Sequence, residues 1–237
     1  MQTREGCTAD YRRQDRKEYV TRLQIIIGST RPGRAADLVA PWVIDRAKSH
    51  GQFDVEVLDL RDWPLPMFAE TFQSVGDFND PTYSSPLVRA WNHKIAEAEA
   101  YLVITPEYNH SVPAVLKNAI DSVFVSFAFR NKPLSVVGYS GGIAGGVRAI
   151  EHLAHIAVEA EMVPLRTVTI FPQVFEAFGE DQRPKNPIPE LSLQIGLDDL
   201  KWWSDLLAQG RAKGQLPPAA FRMQAAAAAL HEIDDEL

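Results

Sequence analysis

The sequence predicts an α/β protein built on a doubly wound, five-stranded parallel sheet in the order 2-1-3-4-5, with helices on both faces and extra C-terminal helices. Three observations lead there. Short runs occur that are too apolar for strands with one wet face, segments with apolar residues at helical spacing alternate with them, and loops marked by glycine or proline follow the first, third and fourth runs.

The elements follow in order. Leu23 to Ile27 is a β-branched run that stops at Gly28, and after a charged turn apolar residues recur at helical spacing from Ala35 to Ala47. Phe53 to Leu60 alternates apolar and acidic residues after the His50-Gly51 turn, completing one βαβ unit. Pro64, Pro66, Pro81 and Pro86 mark a surface excursion, because proline lacks the amide donor and restricts the residue before it. A helical pattern resumes over 86–98, and Tyr101 to Thr105 reads as a buried strand stopped by Pro106. Pro113 to about Phe124 reads as a helix with proline at its first position. Leu134 to Tyr139 is a fourth strand, Gly141 to Gly146 a glycine-rich turn, Val147 to Glu159 a helix and Arg166 to Phe171 a fifth strand. Beyond it lie Pro172, Pro184, Pro187 and Pro189, then helical patterns over Leu197–Gln209 and Pro218–Ile233. The alanines from Ala225 to Ala229 favour helix and carry no chemistry.

These patterns divide the chain into a polar N-terminal extension (1–21), one α/β domain (22–171) and a Pro-rich linker with appended helices (172–237). Length and composition suit this: 237 residues, 46% hydrophobic and 23% charged, are globular values. A net charge of −7 opposes broad binding to nucleic acid or to an acidic membrane surface, both of which need a positive field. The chain holds no run of about eighteen apolar residues, and its N-terminus is charged where a signal peptide would be apolar. Cys7 is the only cysteine, which excludes an intramolecular disulfide framework and fits a reducing cytoplasm.

Open parallel sheets bind ligands beyond the carboxyl ends of their strands, so the loops after strands one, three and four should share one crevice. The first, Gly28-Ser29-Thr30-Arg31-Pro32-Gly33-Arg34, combines close backbone approach, hydroxyls, two guanidiniums and a following helix N-terminus. That is the composition of a phosphate cradle, or of a helix entry with solvated arginines; it has neither P-loop nor GxGxxG spacing. The second, Pro106-Glu107-Tyr108-Asn109-His110-Ser111-Val112-Pro113, is stiffened by prolines and suits either a flat heterocycle or a rigid turn. The third, Tyr139-Ser140-Gly141-Gly142-Ile143-Ala144-Gly145-Gly146, has more glycine than one turn needs, which suits exposed amides or tight helix packing.

Together, GSTRPGR, PEYNHSVPAVLKNAIDSV and SGGIAGG resemble the NADPH-dependent FMN reductase family over roughly residues 22–171. The resemblance implies a flavodoxin-like fold and FMN as cofactor. It assigns the FMN phosphate to Ser29 and Arg31, with Arg34 a further candidate, and the ring and ribityl chain to Pro106, Glu107, Tyr108 and Asn109. The pyrimidine edge falls to Ser140, Gly141 and Gly142. Many members have serine and asparagine where this chain has Arg34 and Ala36, so charge replaces hydroxyl and amide there. The aromatic run Val123 to Phe129 matches a region that lies near subunit boundaries in relatives, which implies a homodimer or homotetramer.

Other groupings point to less. His152 and His155 sit three apart on a predicted helix but lack partners at metal-site spacing, and no metal is expected. Nothing fixes the separation of Asp59, Asp62 and Glu70 for paired-carboxylate hydrolysis, and no Gly-x-Ser-x-Gly elbow occurs. The expected activity is hydride transfer from NADPH or NADH through FMN to a small acceptor such as a quinone, azo compound, flavin or metal oxyanion, in ping-pong order. The flavin carries the chemistry, and Tyr108 is the one candidate for assisting a proton transfer. A second class, a noncatalytic electron carrier or redox sensor that works through protein partners, would use the same cradle, and a third reading makes the fold a ligand-free interaction scaffold.

Overall fold

A computed structural model of the chain describes residues 20–77 and 80–235. Cys7 and almost all of the N-terminal extension therefore lie outside the described residues.

The sheet is parallel and runs β2 (Phe53–Asp59), β1 (Thr21–Ile27), β3 (Ala100–Pro106), β4 (Pro133–Tyr139), then a fifth position. The fifth position is filled by two short strands, β5 (Val163–Pro164) and β6 (Thr169–Phe171), both paired to β4. The sequence predicts one strand over 166–171. Instead the edge puckers between the pieces: Pro164 has no N–H to give a ladder, and Ser135 Oγ donates to Thr167 O (3.1 Å) across the gap. Thr167 Oγ1 in turn donates to Asp199 (2.8 Å) on the helix that covers this edge.

Side chains alternate along the central strands, so each face buries its own core. Ile25, Ile27, Leu102, Ile104, Val137 and Tyr139 face α1 (Ala36–Ser49) and the long C-terminal helix, whereas Ile26, Tyr101, Val103, Leu134 and Val136 face the helices of the other side. Those helices are α3 (Pro86–Ala96), α4 (Ala114–Asp121) and α5 (Val147–Glu159). The C-terminal helix α6 (Ile188–Ala212) puts Leu193, Leu197 and Leu200 into the α1-side core, at spacings that share one helical face. Gly196 lets it come close: a Cβ there would sit 3.3 Å from Ser135 Oγ. Expected as an appendage, α6 thus forms a layer of the sheet's own packing. A last helix, α7 (Ala219–Asp235), follows it.

Two smaller differences from the sequence expectation concern α4 and the excursion. Pro113 is the N-cap of α4, with ψ 143°, and the helix ends at Asp121 before a 3-10 turn at Phe124–Ser126. Within the excursion a single helical turn, α2 (Phe72–Val75), occupies a proline-free stretch and is closed by a Thr71–Ser74 capping box. Asn118, buried on α4, staples the excursion down, accepting from Phe68 N–H (2.8 Å) and donating to Pro66 O (2.9 Å).

Candidate functional site

The carboxyl ends of β1, β3 and β4 bring all three loops to one rim. Gly28 begins the first loop by donating to Ile104 O (2.8 Å) on β3, an approach that any side chain would block: a Cβ there would stand 2.9 Å from Leu116 Cδ2 and 3.2 Å from that carbonyl. Ser29 is wholly buried and its hydroxyl lies 2.8 Å from the Tyr108 hydroxyl, which joins the first loop to the second. Arg31 is exposed, its guanidinium carbon 5.3 Å from the centre of the Tyr108 ring. Helix α1 then starts at Ala36 with Ala35 as its N-cap and no side-chain cap, its first turn closed by Asp37 N–H donating to Arg34 O (3.2 Å) and Leu38 N–H to Ala35 O (3.0 Å).

Arg34 departs from the sequence expectation. Its side chain is 4% exposed and every guanidinium nitrogen donates to the protein: Nε to Asp37 (2.8 Å), Nη1 to Asp59 (2.7 Å) and to Ser29 O, and Nη2 to the other Asp59 oxygen. Burial alone would raise the Asp59 carboxyl, yet the Arg34 guanidinium and the Arg61 N–H hold it below the usual carboxylate range. The Asp59 hydrogen bonds likewise push the Arg34 guanidinium upward. Arg34 is thus a brace beneath the loop, not a free anion ligand. Arg61 adds a second brace by donating to Arg31 O (2.7 Å).

In the second loop Tyr108 and Ser111 exchange backbone hydrogen bonds of 2.9 and 3.0 Å around Asn109 (φ 49°) and His110 (φ 65°), the positive-φ pair of a type I′ hairpin turn. Pro106 ends β3, and Glu107 N–H donates to Tyr139 O (3.1 Å). The Glu107 carboxylate, 6% exposed, accepts from Arg148 Nη1 (2.6 Å) and Arg148 N–H (3.2 Å). It holds the first turn of α5 and is nearly closed to solvent. The Tyr108 hydroxyl, 2.8 Å from Ser29 Oγ, ties this loop to the first.

The third loop separates two uses of glycine. Gly145 (φ 64°) and Gly146 (φ 89°) are sterically required, since a Cβ on Gly146 would fall 2.5 Å from Tyr139 N. Gly142, by contrast, is exposed with nothing within 4 Å of a built Cβ, and Gly141 faces only the Phe175 ring at 3.6 Å. Ser140 closes the loop by donating to Gly142 O (2.9 Å) and accepting from Gly145 N–H (2.9 Å).

One wall escaped the sequence reading. Residues 172–175 pair with the glycine loop, Gln173 N–H donating to Gly142 O (2.9 Å) and Val174 N–H to Ser140 O (3.0 Å), and they leave Phe175 69% exposed beside Gly141. Its signal was available: the segment follows the fifth strand position and so must emerge at the same rim. Elsewhere, His152 Nδ1 lies 2.9 Å from Ser111 Oγ, and Glu70 accepts from Ser74 Oγ at 2.6 Å and Ser84 N–H at 2.8 Å. No group of three His, Cys, Asp or Glu side chains among the described residues could hold a metal ion.

The sheet order defines a flavodoxin-like α/β protein, and the three loops leave the same end of its sheet. A family model described as NADPH-dependent FMN reductase matches residues 21–176. The chain belongs to that family of flavin- and NAD(P)H-dependent oxidoreductases. An NAD(P)H-dependent FMN reductase of Schizosaccharomyces pombe is 36% identical over 136 residues, a match covering 57% of this chain and 65% of that protein, just under two thirds of its length. An NADPH:quinone oxidoreductase of Arabidopsis thaliana is 32% identical over 150 residues, 60% of this chain and 72% of that one. The solved structure of FerB, a flavoenzyme NAD(P)H:(acceptor) oxidoreductase from Paracoccus denitrificans, shares the fold with a TM-score of 0.63 at 23% identity, covering 78% of this chain and 98% of that chain.

Proposed function

We propose that this protein is an FMN-dependent NAD(P)H oxidoreductase that reduces a small acceptor. The observation that carries the reading is the Ser29–Tyr108 contact of 2.8 Å, which draws the cradle loop and the hairpin loop to one rim beside an uncapped helix N-terminus. FMN fits that rim by its donor set. Ser29, Arg31 and the positive end of the α1 dipole suit a phosphate, the exposed Gly141 and Gly142 suit a polar ring edge, and Pro106 to Asn109 supply a stiff wall for the ring and ribityl chain.

When bound, FMN supplies the redox chemistry, with two electrons arriving as hydride from NADPH or NADH and leaving to an acceptor that takes its turn in the same place, a ping-pong order. The chain's own residues bind and orient. Arg34 and Asp59 hold the cradle loop in shape, Glu107 and Arg148 fix the hairpin against α5, and the glycine loop offers fixed dipoles where negative charge collects on a reduced ring. Asn118 holds the excursion that contributes to the acceptor's surroundings.

Quinones, azo compounds, flavins and metal oxyanions are the acceptors in view, and the Arabidopsis relative's name favours quinones. We read the protein as a cytoplasmic homodimer or homotetramer, without nucleic-acid or membrane partners. A net charge of −7 opposes binding to nucleic acid or an acidic membrane surface, and no helix of the described residues is long and apolar enough to cross a membrane. We keep 22–171 as the flavin-binding unit, to which α6 adds core and Pro172 to Phe175 add a wall. Mixing FMN-loaded protein with NADPH under anaerobic conditions tests the reading: the flavin's visible absorbance should bleach within the dead time of manual mixing. Absorbance that survives both nicotinamides would instead favour an electron carrier.

A further inference from the structure

We infer that Phe175 is a flavin-contacting residue: its ring packs against the isoalloxazine at the end where the glycine loop offers its amides. The inference deepens the FMN reading given above and rests on it.

The segment that carries Phe175 is built to hold one side chain outward. Ser140 N–H donates to Phe171 O (3.1 Å), Gln173 N–H to Gly142 O (2.9 Å) and Val174 N–H to Ser140 O (3.0 Å), so the backbone on both sides of Pro172 is fastened to the glycine loop. Gln173 takes a left-handed φ of 46°, and Glu176 N–H closes the turn on Gln173 O (2.8 Å). Val174 sits in the α1-side core, 1% exposed, while Phe175 stays 69% exposed. Turning the segment to bury Phe175 would expose Val174 and break these hydrogen bonds, so the fold fixes the phenyl ring at the surface.

Single exposed apolar side chains are common, and what marks this one is its neighbours. Phe175 Cε2 lies 3.6 Å from where a Gly141 Cβ would stand, so the ring borders the space that a side chain there would claim. Gly141 and Gly142 are themselves exposed, and among the described residues neither N–H meets a hydrogen-bond partner. Two free donors and a fixed aromatic ring therefore stand side by side at the rim. The donors suit the polar edge of a flat heterocycle. A heterocycle held by them runs alongside the phenyl ring, which gives it apolar contact and keeps water from the new hydrogen bonds. Ser29 and Arg31, the groups suited to the phosphate, lie on a different loop, so loss of Phe175 should be felt by the flavin ring and not by the phosphate.

The test is titration of flavin-free wild type, Phe175→Ala and Phe175→Tyr with FMN and with riboflavin, which lacks the phosphate. F175A should weaken both flavins by about three- to tenfold and leave their ratio unchanged, and F175Y should bind both as wild type does. Because the ring is exposed, the thermal midpoint of flavin-free F175A should match that of wild type. Fluorophenylalanine placed at position 175 gives a reading without truncation: its fluorine resonance should shift as FMN saturates the protein. Wild-type affinities in F175A, a lowered midpoint, a loss confined to FMN or an unmoved fluorine resonance each overturn the inference and leave the FMN reading intact. A wild type that binds neither flavin overturns both.

Discussion

Ser29 Oγ and Tyr108 OH, carried by loops that leave different strands, lie 2.8 Å apart, and Ser29 is wholly buried while Tyr108 keeps Arg31 against its ring. The contact makes the rim a single unit, so changes at its three side chains should separate into effects on ligand affinity and effects on stability.

Arg31 and Arg34 should fall on opposite sides of that division. Arg31→Ala removes an exposed guanidinium and should weaken FMN binding by about tenfold or more with little change in unfolding midpoint. Arg34→Ala leaves the partly buried Asp59 unpaired and should cost about 2–4 kcal/mol of stability. Urea unfolding alongside FMN titration checks both; an Arg34 variant of normal stability would refute its role as a brace.

The Arg34–Asp59 pair also predicts an acid limb. The folded state depresses the Asp59 carboxyl, so the unfolded chain takes up that proton first as pH falls. The pair's contribution is therefore complete above the ordinary aspartate value of about 3.9 and is lost as pH drops through the lowered folded value. Arg34, pushed upward, stays charged throughout and adds no slope. Unfolding free energy measured across this acid range should fall less steeply in Asp59→Asn, and an identical slope would count against the pairing.

How much of this was legible in the sequence follows from what each feature depends on. Gly28, Pro106 and the glycine run announce the ends of β1, β3 and β4 locally, so the loops and their common rim could be read without a structure. Arg34's commitment could not, because Asp59 reaches it only through the pairing of Ile27 with Asp59 in the β1–β2 ladder. The split edge depends on Gly196, Ser135 and Thr167 meeting across three elements. Phe175 was hidden differently: its neighbouring prolines read as linker, while its position is set by backbone pairing with the glycine loop.

The two kinds of glycine in that loop should respond differently. Gly146→Ala forces a Cβ to within 2.5 Å of Tyr139 N at a φ of 89°, and should destabilise by about 2–4 kcal/mol or prevent folding. Gly142→Ala meets open space and should leave stability within about 0.5–1 kcal/mol of wild type while weakening flavin binding. Calorimetry and flavin titration of the two variants decide this; equal destabilisation would erase the distinction.

Asn118 should act at a distance. Asn118→Ala releases Pro66 O and Phe68 N–H, so the excursion loosens without any change in the cradle. Steady-state kinetics with a quinone acceptor should show its KM rising several-fold with FMN affinity unchanged, and a selective loss of FMN affinity would place the excursion elsewhere.

The central claim is that three loops at one end of the sheet form a single flavin site. A crystal structure with FMN tests it most directly. The phosphate should lie at the N-terminal end of α1 within hydrogen-bond reach of Ser29, with the ring bounded by Tyr108, Gly141 and Gly142. Flavin density anywhere other than this rim, or a phosphate beyond reach of Ser29, would contradict the account.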